Sequence, residues 1–252
     1  MDDRTLATAL VTDAADLAAT MRRGGTETTQ KTSAADLVTA ADRAAEDLVR
    51  RMLAEHRPDD GVTGEEGAHA DGTSGRRWHV DPIDGTWNYV AGLPAWCSAV
   101  ALETDGVLTA GAVRRHLPDE TWVALDGRTE CDGQVVPDIA DLPLARASVA
   151  TFLNAAHLRD DATAPLFALL AAAATLRVSG SGSCDLADVA AGRIGLWVQV
   201  DCAAWDWLPG RALVEGVGGT AEIVRAHGHD WHLAGAPTAV REAAALLRTQ
   251  AG

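Results

Sequence analysis

The chain has 252 residues with a hydrophobic fraction of 47%, enough for one large domain or two closely packed halves and unlike a disordered or low-complexity chain. A formal charge of −15 argues against non-specific nucleic-acid binding, which needs basic surface, and it disfavours an anionic membrane. Four cysteines without a Cys-x-x-Cys pair fit neither a zinc ribbon nor a dense disulfide framework.

Leu6, Leu10, Ala14, Leu17 and Met21 recur at helical spacing and stop at Gly24-Gly25, which predicts an opening amphipathic helix. The N-terminus lacks a basic leader followed by an apolar core, so no signal peptide is expected. A short extended piece, Asp36-Leu37-Val38, leads to Thr39-x-x-Asp42, a capping box for a second helix running to about His56. The polar, glycine-rich stretch from Pro58 to Gly75 is expected to be loop. Strands follow at Trp78–Val80, Trp96–Glu103, Val107–Arg114 and Thr121–Leu125, with turn chemistry at Gly106 and Asp126-Gly127, the pattern of an antiparallel meander.

The second half alternates. Strands are expected at Ala147–Phe152, Leu176–Val178, Ile194–Val200 and Thr220–Val224, and helices at Pro165–Ala174, Ser183–Ala191, Trp207–Val217 and Thr238–Arg248, the signature of an α/β layer. The switch near Pro137–Pro143 divides an N-terminal α+β half, residues 1–140, from a C-terminal α/β half, residues 141–252. The longest apolar stretch, Ala162–Leu176, is too short to span a bilayer and is broken by Pro165. A cytoplasmic protein, with neither nucleic acid nor membrane as partner, is the expectation.

The most informative segment is Val80-Asp81-Pro82-Ile83-Asp84-Gly85-Thr86. Pro82 fixes its own φ and pushes Asp81 toward extended geometry, and Gly85 tolerates close approach of backbone to a ligand. A helix starting soon after Thr86 would turn free N–H groups toward the same pocket. Hard cations such as Mg2+ take oxygen ligands, commonly one or two carboxylates plus substrate phosphate. Alone, the segment reads equally as a turn in which Asp84 caps a helix. Its company is Gly64-Glu65-Glu66 upstream, Trp205-Asp206 with Gly218-Gly219 downstream, and Lys31-Thr32-Ser33-x-x-Asp36 with Asp42 before it. Lys31 is the one lysine among 21 basic residues, as if a compact ammonium were required there.

Together these segments resemble the inositol monophosphatase family of lithium-sensitive Mg2+ phosphatases related to fructose-1,6-bisphosphatase, collinearly from Lys31 to Gly219. The resemblance implies a layered αβαβα sandwich of the inositol monophosphatase and sugar phosphatase type, a homodimer, and two or three Mg2+ ions. Glu65, Asp81, the Ile83 carbonyl, Asp84 and Asp206 would be metal ligands, with Lys31 near the outer ion. Glu65 and Thr86 would position the attacking water, and Asp42 would accept from the Thr86 hydroxyl; Asp42 suits the capping box equally well. Gly85, Thr86, Ser181, Gly182, Ser183, Gln199 and Asp206 would face phosphate or substrate. The expected reaction is hydrolysis of a small phosphate monoester, with myo-inositol 1-phosphate first and histidinol phosphate or another sugar or nucleotide phosphate as alternatives. A non-catalytic metal- or phosphate-binding regulator on the same fold is the competing class.

Three departures from the family pattern bear on substrate. Gln199 stands where the family carries a Glu, keeping hydrogen-bonding capacity but losing charge. Trp207-Leu208-Pro209 replaces small residues after Trp205-Asp206, and Ala91 replaces a basic or polar residue after Asn88-Tyr89-Val90.

Overall fold

The computed structural model describes residues 1–24, 28–30, 37–155, 157–159 and 163–249. The chain opens with α1 (Asp3–Arg23), capped by the Asp2 carboxylate accepting from Thr5 N–H at 2.8 Å. After β1 (Thr28–Gln30) and β2 (Leu37–Thr39) comes α2 (Ala40–His56). Its capping box is complete: Asp42 accepts from Thr39 N–H at 2.8 Å, and the Thr39 hydroxyl accepts from Ala41 and Asp42 N–H. Lys31 and Asp36 lie outside the described residues.

Next come β3 (Gly61–Gly64), β4 (His69–Ala70), β5 (Arg76–Asp84), α3 (Thr86–Ala91), β6 (Cys97–Thr104), β7 (Val107–His116), β8 (Asp119–Leu125), β9 (Arg128–Cys131) and β10 (Gln134–Val135). Among the described residues they form one sheet of order β10-β9-β8-β7-β6-β5-β3-β4. From β5 to β8 it is the expected antiparallel meander, and β9 and β10, which were not foreseen, extend it in the same antiparallel sense. Asp126 and Gly127 both have positive φ, 53° and 71°, as a two-residue hairpin turn requires.

The stretch read as loop contains β3 and β4, a correction to the sequence reading. Glycine-bounded β3 has little strand propensity of its own, and its parallel pairing with the central strand β5 supplies the stability.

The remaining elements are β11 (Ser148–Thr151), α4 (Ala164–Ala171), β12 (Thr175–Arg177), α5 (Gly182–Ala190), β13 (Leu196–Val200), α6 (Ala204–Glu215), β14 (Thr220–Ala226), β15 (His229–Gly235) and α7 (Pro237–Thr249). The second sheet has order β12-β11-β13-β15-β14, with parallel pairing at β12-β11-β13 and antiparallel pairing beyond. Two sequence expectations fail here. β15 was not foreseen; it follows Gly228 at positive φ and is fixed by antiparallel pairing with β13 and β14. And α6 begins at Ala204, three residues early, so Pro209 lies in the helix interior rather than in its first turn. The Gly111 backbone of β7 approaches α6 at that proline: a Cβ on Gly111 would sit 2.5 Å from the Pro209 carbonyl.

Three apolar layers hold five. Leu6, Leu10, Val49 and Leu53 of α1 and α2 pack on Trp78, Val80 and Leu102 of the first sheet. The opposite face of that sheet packs, through Ala99 and Val113, on Leu186 and Leu213 of α5 and α6, which also cover Trp197 of the second sheet. Beyond it, Leu233 and Leu196 meet Leu169 and Val240 of α4 and α7. The result is the αβαβα sandwich, with α5 and α6 as the middle layer. No helix among the described residues is long and apolar enough to cross a membrane.

α5 and α6 touch closely at Gly210, where a Cβ would lie 2.3 Å from Leu186 Cδ1 and 2.4 Å from its Cβ. Gly210→Ala is therefore expected to destabilise the fold by about 1–3 kcal/mol through overpacking, read by urea unfolding. An unchanged midpoint would contradict this packing.

Candidate active site

In a regular strand, residues three apart face opposite sides. β5 avoids this for Asp81 and Asp84 with a bulge: Asp81 pairs with Ala99, but Asp84 pairs with Cys97, so β5 spends one more residue than β6. Pro82, which cannot donate to a ladder, occupies the bulge, and its carbonyl accepts from the Ser98 hydroxyl at 2.6 Å. Ile83 is buried between α1, α2 and α3 beside Ala18, Ala41, Tyr89 and Trp96. The two carboxylates are thus brought near each other, and each raises the cost of ionising the other.

Gly85 has φ 94°, and a Cβ there would lie 2.8 Å from the Ala95 carbonyl oxygen and 3.1 Å from Ser181 Cβ. Only glycine satisfies both conditions. α3 then starts at Thr86, whose hydroxyl lies 3.2 Å from the Ile83 carbonyl and 3.3 Å from Asp42 Oδ1. Asp42 therefore serves as both capping-box acid and partner of Thr86. Burial raises its pKa against the opposing hydrogen bonds from Thr39 and Thr86.

Asp84 Oδ2 accepts from Ser183 N–H at 2.5 Å, which ties the first sheet to the N-terminus of α5. Burial raises Asp84, and the amide bonds from Ser183 and Gly182 pull the other way. Asp81 is buried, and among the described residues no donor meets either of its carboxylate oxygens. It is pushed well above the usual carboxylate range, first by burial, then by the charges of Glu65, Asp84 and Asp206; a proton shared with Asp206 is the hydrogen bond open to it. No three His, Cys, Asp or Glu side chains among the described residues stand as a closed metal cage. The carboxylates are gathered within electrostatic reach, without being drawn to ligand distance. Oxygen-only donors converging on orphaned carboxylate oxygens suit a hard divalent cation.

Glu65, Asp84, Thr86, Gln199 and Asp206 line one cavity of about 540 Å³. Asp206 reaches it from the first turn of α6, Gln199 from β13, and Gly85, Gly180 and Gly182 supply backbone wall. Ser181 and Ser183 are buried behind that wall, Ser181 as the N-cap of α5, accepting from Cys184 N–H at 3.3 Å. Trp207 is buried in the middle layer, stacked on Trp197 at 5.6 Å and 18°.

Two organising residues escaped the sequence reading. Glu46 accepts from Glu66 N–H at 2.8 Å and Ala68 N–H at 2.7 Å, shaping the turn that carries Glu65. A Cβ on Gly64 would lie 2.2 Å from Glu46 Oε2. The available signal was an acid four residues after Asp42, within the apolar face of α2. Asn88 donates to the carbonyls of Ala95 and Ser179, at 2.6 and 2.8 Å, binding α3 to the glycine-serine loop.

Comparison with known proteins agrees with this architecture. A profile of the inositol monophosphatase family matches residues 3–249. An inositol-1-monophosphatase of Rhizobium meliloti is 38% identical over 196 residues, 73% of this chain and 71% of that protein. A histidinol-phosphatase of Mycobacterium tuberculosis is 46% identical over 129 residues, 50% of this chain and 49% of that one. The crystal structure of the extragenic suppressor protein suhB of Bartonella henselae superposes with a TM-score of 0.86 at 24% identity, covering 97% of both chains.

Proposed function

The chain belongs to the inositol monophosphatase family and is a phosphatase, and from that premise we propose that it hydrolyses a small phosphate monoester with Mg2+ bound by Glu65, Asp81, the Ile83 carbonyl, Asp84 and Asp206. The observation that carries this reading is the buried Asp81 carboxylate, undonated and surrounded by three further acids. Such a cluster is costly unless protons or cations neutralise it. Bound there, two or three Mg2+ ions would offset phosphate charge, acidify a water and stabilise the leaving oxygen.

The chain's own groups have distinct tasks. Thr86 and Glu65 line the cavity beside Asp84, and together they orient the attacking water. The Thr86 hydroxyl is held in turn by Asp42. Gly85 and the Gly182 region present backbone to the phosphoryl end, and Gln199 faces the alcohol with a neutral amide. Attack proceeds in line on phosphorus, without a covalent enzyme intermediate. Lys31 lies outside the described residues, and the resemblance implies that its ammonium would act near a bound ion. The resemblance also supports a homodimer, the change of pattern near residue 140 supports two halves within each chain, and the absence of a leader pattern in the sequence supports a cytoplasmic location.

Relatives named inositol-1-monophosphatase make myo-inositol 1-phosphate the first substrate to test. The histidinol-phosphatase relative, more identical over a shorter span, makes histidinol phosphate the second. Phosphate release from both, with and without Mg2+, is the direct test. Turnover that is indifferent to chelator would end the metal reading.

A pH-linked stability effect follows. Asp81 and Asp84 have folded pKa values raised above the unfolded range. In metal-free protein their contribution is complete below about pH 4 and is lost as pH rises through the folded values. Mg2+ competes with those protons. Saturating Mg2+ is expected to raise the melting temperature by about 5 °C or more at pH 8 and by little at pH 4.5. Equal shifts at both pH values would contradict the assignment.

A further inference from the structure

The cavity continues beyond its acidic end, and the chemistry of its wall changes. Trp87, next to Thr86 in α3, lines the cavity with half of its surface, 51%, exposed. Phe152 and Leu153 line it from the segment leaving β11 of the other sheet. His157 N–H donates to Asn154 Oδ1 at 3.2 Å, Asn154 N–H meets His157 Nδ1 at 3.3 Å, and the Phe152 ring stands edge-on to His157 at 6.0 Å.

The hydrogen-bonding side chains outside the acidic end are neutral: Gln199 and Asn154. No lysine or arginine lines the cavity among the described residues. A polyol carries hydroxyls around its whole edge and needs a donor or acceptor for each, or it loses its water bonds without replacement. Indole, phenyl and isobutyl surfaces provide almost none. A flat unsaturated ring has two apolar faces and few polar edge atoms, which suits aromatic walls and two amides.

Resting on the phosphatase reading and narrowing its alcohol, we propose that this outer half is a binding site for a planar unsaturated ring, an imidazole or phenyl group joined by a short linker to the phosphorylated hydroxyl, with Trp87 as the residue that selects it. Trp87 adjoins Thr86 in sequence, so the ring lies close to the phosphoryl end. Gln199 meets the polar edge of a heteroaromatic ring.

The test compares kcat/KM of the full chain in Mg2+ for histidinol phosphate and 2-phenylethyl phosphate with that for myo-inositol 1-phosphate and glycerol 2-phosphate. The ring esters are expected to be better by about tenfold or more, and Trp87→Ala to reduce the ring-to-polyol ratio about tenfold, mostly through KM. Trp87→Phe should recover most of it. Polyol esters matching or exceeding ring esters, or a Trp87→Ala loss shared equally by all four, would overturn the inference. Should no ester turn over, the phosphatase reading fails by itself. Calorimetric binding of 2-phenylethyl phosphate then decides the ring site: about tenfold weaker binding to Trp87→Ala upholds it, and equal binding ends it.

Discussion

Asp84→Asn is expected to lower kcat/KM in Mg2+ by about a hundredfold or more, since even changes to groups that merely orient a metal ligand cost ten- to a hundredfold. The fold should survive. An asparagine oxygen can still accept from Ser183 N–H, the bond that ties β5 to α5. The substitution also removes one of the charges that raise Asp81, so the metal-free variant should melt at the wild-type temperature or above, while its response to Mg2+ shrinks. Near wild-type turnover would show that this carboxylate has been misassigned. Lost activity with a lowered melting temperature in metal-free protein would mean that Asp84 acts mainly in the fold.

Arg115→Met should destabilise the protein by about 3 kcal/mol, the cost of removing one partner from a buried ionic cluster, or roughly 6–12 °C in melting temperature. Arg115 of β7 is buried, donates to Glu120 of β8 and to Asp188 of α5 at 2.9 Å, and approaches the Cys184 carbonyl at 3.5 Å. Burial alone would raise Glu120, but hydrogen bonds from Arg193, Arg115 and Trp122 pull it down to about 2. Its contribution is therefore present above the unfolded value and lost as pH falls toward 2. The cluster clamps α5 onto the first sheet, and α5 presents Ser183 to Asp84, so activity should fall along with stability. Arg115→Lys keeps the charge without the planar fork and should recover only part of both. A loss below about 0.5 kcal/mol for Arg115→Met would place the cluster among surface ion pairs of little consequence.

What sequence can show and what it cannot divide along physical lines. α1, the capping box of α2 and the turns of the meander are written in neighbouring residues, and they were readable. Residues 80–86 were readable as a chemical motif. The bulge that makes their chemistry work was not, because it exists only in the pairing of β5 with β6. β3 has weak propensity and forms through its distant partner. β15 begins in turn-like residues and is fixed by pairing with β13 and β14. Asp206 was placed just ahead of α6, but the helix starts at Ala204, so the carboxylate projects from its first turn. The Glu46 and Asn88 braces are long-range hydrogen bonds that no local pattern encodes. Trp87 drew no notice in the sequence; its exposure on the cavity wall is what gives it meaning.

The central claim is that Glu65, Asp81, Asp84 and Asp206, far apart in the chain, gather around divalent ions. Anomalous diffraction from crystals soaked in Mn2+ tests it most directly. The expected result is at least one strong peak within about 2.5 Å of carboxylate oxygens from both Asp84 and Asp206. Crystals showing no peak there, with Asp206 directed away from the β5 bulge, would contradict it.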